Sequence, residues 1–537
     1  MAPEKRQKAI DLSHHLSDVS RARQTSPLKG LGKYNGRPGL ISLAGGLPSV
    51  AYFPFSAISG DALDPNSFSL KPSEQDTSSL SWFWKLFSRA NKEKTSPITI
   101  PKYVEHPEEE INLSVALQYG SAQGILQLQE FLKEFVDKAY QPAYDDCTVL
   151  VHTGNTDGWS RCMQTFMNPG EQFLTEEWTY PSIVAACTPY GMRAVPVAMD
   201  QDGMSAAALR KVLAEWDSVT QRKRPHVLYT VPVGQNPVGS TMGAARKKEI
   251  YDVCVEYDII IVEDDPYFFL QQGEYSPKAA RADSMDAISE EAWISTLAPS
   301  FLKFDYEGRV IRLDTFSKYI APGSRLGWHT CNPLFADRLE RQGETSAQAP
   351  CGFGQSLVTQ LLYHWKYEGY TRWLHGLAVQ YKTRRDWFID CLSEELHLEA
   401  TTSSDVSFWK NSVVYDAYPK RSNSWMMSEK GSVGTKLFSF VPPTAGMFIW
   451  IKVHFNNIPA YRRGGQDEES PEIQLWTKIA DAGVLIAPGW FFAANADNPP
   501  TDELEGHFRV SFSNHDFDAL KKAAHIIATE THKFFKV

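Results

Sequence analysis

Four short apolar runs, each leading directly into a polar cluster, constrain this chain more than any other feature. Val149-Leu-Val151 leads to Thr153-Gly-Asn-Thr-Asp-Gly158, and the run from His226 to Val233 leads to Gly234-Gln-Asn-Pro-Val-Gly239. The run from Asp258 to Val262 leads to Glu263-Asp-Asp-Pro-Tyr267, and that from Arg309 to Leu313 to Thr315-Phe-Ser-Lys318. Between them, apolar residues recur at helical spacing, as in Trp159, Cys162, Met163 and Phe166, or Ile250, Val253, Cys254 and Tyr257. Strand-like runs alternating with helices predict βαβ units, an α/β fold and a mostly parallel sheet. Ligands of such sheets gather beyond the carboxyl ends of the strands, which is where the four clusters fall.

A chain of 537 residues is long for one core, so two domains or a large domain with insertions are expected. Composition shifts toward Ser, Pro, Lys and Glu over residues 61–110, with Trp82, Phe83, Trp84 and Phe87 inside the stretch, and irregular segments follow near 272–300 and 401–440. A hydrophobic share of 42% and a charged share of 22% suit a soluble globular protein. The formal net charge of −10 argues against a general nucleic-acid partner. The seven cysteines are scattered and form no C-x-x-C pair, so neither a zinc site nor a disulfide framework is expected, and a reducing compartment is. No metal is expected. The first ten residues lack the apolar core of a signal peptide, and runs such as Ile259-Ile-Ile-Val262 are too short to span a bilayer. The chain therefore reads as cytoplasmic, with no membrane contact.

Taken singly, each polar cluster has an ordinary reading as a turn, a cap or a solvated loop. Together they match the needs of pyridoxal phosphate, which requires a lysine amine for a Schiff base, a carboxylate opposite its ring nitrogen, and donors for a phosphate dianion. Lys318 is the candidate lysine, since a desolvated amine can serve as nucleophile and proton shuttle. Asp264 is the candidate carboxylate. Gly154-Asn155-Thr156, opening a helix, offers backbone N–H groups to phosphate. Arg325 adds a guanidinium fork and Ser317 a hydroxyl.

The segments Gly234-Gln-Asn-Pro-Val-Gly239, Val262-Glu-Asp-Asp-Pro-Tyr267 and Phe316-Ser-Lys-Tyr-Ile-Ala-Pro-Gly-Ser-Arg-Leu-Gly-Trp328 resemble the signature blocks of fold-type I, subgroup I, pyridoxal phosphate-dependent aminotransferases. Ser26-Pro-Leu-Lys29, Ile41-Ser-Leu-Ala-Gly-Gly-Leu-Pro48, Leu117-Gln-Tyr-Gly-Ser-Ala-Gln-Gly124 and Phe508-Arg-Val-Ser-Phe512 are similar to fungal aromatic amino acid aminotransferases and the related kynurenine/2-aminoadipate enzymes. The resemblance runs from about residue 12 to the C-terminus and lapses in the irregular insertions. It implies a large domain on a mostly parallel sheet over 112–370 and a smaller α+β domain over 371–537. An arm over 1–60 would join the small domain, and 61–111 would be an irregular insertion.

The resemblance also implies roles. Lys318 would carry the Schiff base and the proton shift, and Asp264 would pair with the ring nitrogen. Asn236 and Tyr267 would bond the phenolic oxygen, Tyr180 would stack on the ring, and Tyr119 would reach the phosphate of a neighbouring subunit in a homodimer with shared active sites. Arg509 would fork onto the substrate α-carboxylate, with Asn236 and Gly46 beside the substrate. Two departures stand out: Gly-Asn-Thr-Asp replaces the Gly-Ser-Gln-Gln of kynurenine-type enzymes, and Thr315 stands where serine is common. The implied reaction moves the amino group of Phe, Tyr or Trp to a 2-oxo acid such as 2-oxoglutarate by a ping-pong route. The alternatives are kynurenine or 2-aminoadipate as donor, a decarboxylase, β-lyase or synthase of the same fold, and a non-catalytic pyridoxal phosphate-sensing domain.

Overall fold

The computed structural model describes residues 6–25, 37, 39–41, 43–44, 46–70, 93–106, 110–281, 288–403, 408–420, 434–458, 461, 470–497, 499–500 and 504–536. Ser26-Pro-Leu-Lys29 and the aromatic group Trp82, Phe83, Trp84 and Phe87 lie outside the described residues.

Seven strands form the large sheet, in the order Thr148–His152, Gly327–Cys331, Val310–Thr315, Ile260–Asp264, Val227–Thr230, Gln172–Glu176, Arg193–Val197. Gly327–Cys331 runs antiparallel to both neighbours, and the remaining pairs are parallel. The central strands are buried along their whole length, which is why they read as nearly continuous apolar runs with no alternation. Helices Asn155–Phe166, Ala206–Ala214, Ala244–Glu256 and Pro333–Glu344 belong to this layered body. The four polar clusters all emerge at one edge, since Gly327–Cys331, running the other way, begins where its neighbours end.

A second sheet of six antiparallel strands runs Leu396–Thr402, Val413–Pro419, Phe438–Phe440, Phe448–His454, Glu505–Ser511, Ala487–Pro488. Helices Pro471–Asp481 and Phe517–Phe535 contribute Leu475, Ile479, Leu520 and Ile527 to its own core. The segment near 401–440, expected to be irregular, thus supplies the whole of two strands, Val413–Pro419 and Phe438–Phe440, and the end of a third.

Two boundaries differ from the sequence expectation. The helical segment Gly352–Glu395, interrupted at Lys366 with φ +56°, passes without a linker from one core to the other. Leu362, Tyr370 and Leu374 belong to the large core and Phe388, Ile389 and Leu392 to the small one, with Tyr381 touching both, so the cores change near 381 and not at 370. Ala57–Leu63 pairs with Thr95–Pro101 across the 60/61 boundary, so the insertion is a two-stranded excursion at its base.

The described start of the N-terminal arm joins the large core, not the small one. Leu12 and Leu16 are buried in it, Ile10 donates to Glu307 O at 3.0 Å, and Ser17 Oγ donates to Gln164 O at 2.7 Å. Asp258 pins this segment: Oδ2 meets His14 Nε2 at 2.7 Å, while Oδ1 meets His15 Nε2 at 3.1 Å and Arg309 at 2.7 Å. Both carboxylate oxygens are thereby taken up in fastening the arm.

Candidate active site

Each strand end delivers one piece of a single cavity of about 380 Å³. Lys318, Asp264, Tyr180, Asn155, Thr156, Asn236, Tyr267, Ser317, Arg325 and Arg509 line it, and Gly46 and Tyr119 do not. Gly46 is exposed, and Tyr119 is 67% exposed on the outer surface.

At one end, Gly154 (φ +100°) turns the chain from Thr148–His152 into helix Asn155–Phe166. Arg325 closes the turn, donating from Nη2 to Thr153 O at 3.0 Å and from Nη1 to Pro322 O at 2.9 Å. A Cβ on residue 154 would lie 2.5 Å from that Nη2, so only glycine allows the guanidinium to lie against the helix start. His152 Nδ1 accepts from Gly154 N–H at 3.1 Å, and Asp157, paired with Arg161 at 2.8 Å, accepts from Thr153 N–H at 3.0 Å. Buried neutral His152 and the Asp157–Arg161 pair thus fix a turn whose free N–H groups and adjacent guanidinium suit an oxyanion. Ser317, whose hydroxyl accepts from Thr315 Oγ1 at 2.9 Å, and Thr156 sit at the same cavity.

Asp264 lies deeper, at the end of Ile260–Asp264. Burial raises its pKa, opposed by hydrogen bonds from Tyr229 and Asn155. The Asn155 side chain donates to Asp264 Oδ1 at 2.6 Å and to Leu313 O at 3.1 Å. The helix start keeps its backbone donors, while the amide turns toward the acid.

Lys318 follows strand Val310–Thr315 in a short helical turn. Burial lowers its amine pKa, as do Arg509 and Arg325. Opposite, Arg509 comes from the small sheet with its guanidinium 4.1 Å over the Phe448 ring and 4.7 Å over that of Phe492. Its Nη1 donates to Asn236 Oδ1 at 2.7 Å, and its buried Nε has no partner. Among the described residues no carboxylate pairs with Lys318, Arg325 or Arg509. A cavity with three cations, one carboxylate and an unpartnered guanidinium edge fits a ligand with a phosphate at one end, a basic ring nitrogen at the other, and a carboxylate as its second anionic group. Pyridoxal phosphate with an amino acid substrate has that distribution of charge.

Tyr229, Phe448 and Phe492 escaped the sequence reading. Tyr229 lies inside an apolar run, and its meeting with Asp264 depends on the register that pairs it with Val262, which a single sequence does not disclose. Phe448 flanks Arg509 because their strands pair in the small sheet, and Phe492 because it follows the edge strand Ala487–Pro488 paired to that of Arg509, and neither pairing can be read from a single sequence.

Residues 91–411 match the family model described as aminotransferase class I and II. The chain is 34% identical over 518 residues to an aromatic amino acid aminotransferase of Schizosaccharomyces pombe, covering 96% of each chain. It is 33% identical over 510 residues to an L-tyrosine:2-oxoglutarate aminotransferase of Serpula lacrymans, covering 92% of this chain and 86% of the relative. The crystal structure of aminotransferase Aro8 from Candida albicans superposes with a TM-score of 0.82 at 32% identity, over 99% of this chain and 100% of that one.

Proposed function

Because this chain belongs to the class I and II aminotransferase family, we propose that its cavity transfers the amino group of an aromatic L-amino acid to a 2-oxo acid such as 2-oxoglutarate. Pyridoxal phosphate, the cofactor of this family, supplies when bound an aldehyde that takes up the amino group and a ring that withdraws electrons. The observation that carries the reading is the convergence of Lys318, Asp264, Arg325 and Arg509 on one cavity.

Arg325, Ser317 and the N–H groups of Asn155 and Thr156 would hold the phosphate. Asp264 keeps a proton on the ring nitrogen, which strengthens the ring as an electron acceptor. Asn236 and Tyr267 donate to the phenolic oxygen; burial keeps the Tyr267 phenol protonated and therefore a donor. Tyr180, which lines the same cavity, would cover one face of the ring. Lys318 would hold the cofactor through its amine and, when free, that amine would serve as the base that takes up the substrate α-proton. Arg509 forks onto the α-carboxylate that both donor and acceptor carry, so one cation serves both halves of the ping-pong cycle. An α-carboxylate held in this way would be kept in place, which disfavours its loss.

The names of the relatives from Schizosaccharomyces pombe and Serpula lacrymans support an aromatic donor and 2-oxoglutarate as acceptor. The exposure of Tyr119, away from its own cavity, supports a homodimer in which Tyr119 reaches the partner's phosphate, with Gly46 in a segment closing over substrate. Turnover on phenylalanine, tyrosine, tryptophan, kynurenine and 2-aminoadipate, each with 2-oxoglutarate, tests the reading. An aromatic donor is expected to lead, and a clear preference for 2-aminoadipate would sink the aromatic assignment. Lys318→Ala is expected to abolish both turnover and the visible absorption of the bound cofactor.

A further inference from the structure

Asp264 is held from both sides. Tyr229 Oη donates to Oδ2 at 2.6 Å and Asn155 Nδ2 donates to Oδ1 at 2.6 Å. Tyr229 pairs in register with Val262, two residues before Asp264, so strand alternation turns Tyr229, Val262 and Asp264 to one face. The second amide hydrogen of Asn155 goes to Leu313 O, which leaves the amide one sensible orientation, with its NH₂ toward the carboxylate. No cation contacts Asp264 among the described residues: Arg312, the buried guanidinium nearby, is taken up by Glu263, Asp265 and Asp314 at 3.2, 3.0 and 2.9 Å.

We propose that Tyr229 and Asn155 are positioning residues for the ring-nitrogen acid, fixing both oxygens of Asp264 and keeping it ionised so that the shared proton stays on the ring. The proposal rests on the pyridoxal phosphate reading of the cavity. Hydrogen bonds to the ionised form are what oppose burial here: both pull the Asp264 carboxyl down while desolvation pushes it up. Asn155 also begins the helix whose N–H groups face the phosphate. One residue thus ties the phosphate end of the cofactor to its ring-nitrogen end.

The test uses holoenzyme carrying Tyr229→Phe, Asn155→Ala or both, with Asp264→Ala as reference. Tyr229→Phe removes one hydroxyl and keeps the ring in its packing, so it remains informative if Asn155→Ala folds poorly. The readouts are the pH midpoint of the bound cofactor's visible absorption, the rate of cofactor release on dialysis, and kcat separately from KM. A less firmly protonated ring withdraws less electron density from the Lys318 nitrogen. Each single variant is therefore expected to move the midpoint upward in the direction of Asp264→Ala, to speed release, and to lower kcat about tenfold with little change in KM. If Asp264→Ala moves the midpoint and a well-folded Tyr229→Phe does not, the positioning role is overturned and the cofactor reading stands. If neither moves it, the assignment of Asp264 to the ring nitrogen falls, and this proposal with it.

Discussion

Arg509, from the small sheet, donates to the amide oxygen of Asn236, from the large one, at 2.7 Å. This contact crosses the seam between the two cores at the place where substrate would enter. Close by, Gly234 (φ +55°) lies against Gly446, where a Cβ on residue 234 would sit 2.7 Å from the Gly446 Cα. The small sheet therefore sets the position of Arg509 through backbone packing at least as much as through the side chain itself.

Replacing that guanidinium tests what the position does. Arg509→Lys retains the charge but loses the planar fork and its packing between Phe448 and Phe492. A loss of about 2 to 3 kcal/mol in transition-state binding, roughly 30- to 150-fold in kcat/KM, is expected for donor and acceptor alike. Cofactor affinity should be nearly unchanged. Steady-state kinetics on both half-reactions, with cofactor titration, checks this.

The glycine at the phosphate turn should tolerate no side chain. Gly154→Ala places a methyl against the Arg325 guanidinium and asks alanine to adopt φ +100°. A stability loss of about 1 to 3 kcal/mol is expected, together with a larger loss of cofactor affinity because Arg325 is displaced. Thermal unfolding of apo- and holoenzyme separates the two effects: the stabilisation conferred by cofactor should shrink in the variant.

Much of this site was legible because its chemistry is concentrated in short segments at strand ends. Asn236, Asp264, Tyr267, Lys318 and Arg325 could be read locally and were brought together by a parallel sheet that the apolar runs had already implied. The contacts of Tyr229 and of the Asn155 side chain with Asp264 could not, because they depend on strand register and, for Asn155, on a partner more than 100 positions away. The domain boundary near 370 was misplaced for a related reason. A helix that carries the chain from one core to the next shows no composition change, and only the change of packing partners around Tyr381 marks the transition.

Lys318 should react as an amine at lower pH than a free lysine. Burial removes water from its ammonium form, and the two guanidiniums repel it. Arg509→Met removes one of those charges, so the pH dependence of cofactor capture by apoenzyme should shift upward in that variant. Following the growth of cofactor absorption after mixing with apoenzyme, as a function of pH, measures the shift. An unchanged midpoint would mean that Arg509 does not help to set the amine, leaving burial and Arg325.

The arm that begins the chain should be fastened by a latch that weakens in acid. His15 is buried against Asp258 with His14, His226 and Arg309 around it, and desolvation pushes its pKa from 6.5 down to about 4. Between those values the unfolded chain binds a proton that the folded one refuses, so stability rises with pH across the window and is lost as pH falls from about 6.5 to 4. The shift corresponds to at most about 3 kcal/mol. Asp258, held well below the ordinary carboxylate range by Arg309 and the two imidazoles despite its partial burial, adds a loss of the same sign at still lower pH. Hydrogen exchange over residues 6–25 should therefore accelerate as pH drops through this window, after correction for intrinsic exchange rates. His15→Gln, which cannot charge, should flatten the profile by about one proton. Asp258→Asn should loosen the arm even at neutral pH, since asparagine accepts the φ of +55° at this position but gives up the charge that Arg309 pairs with.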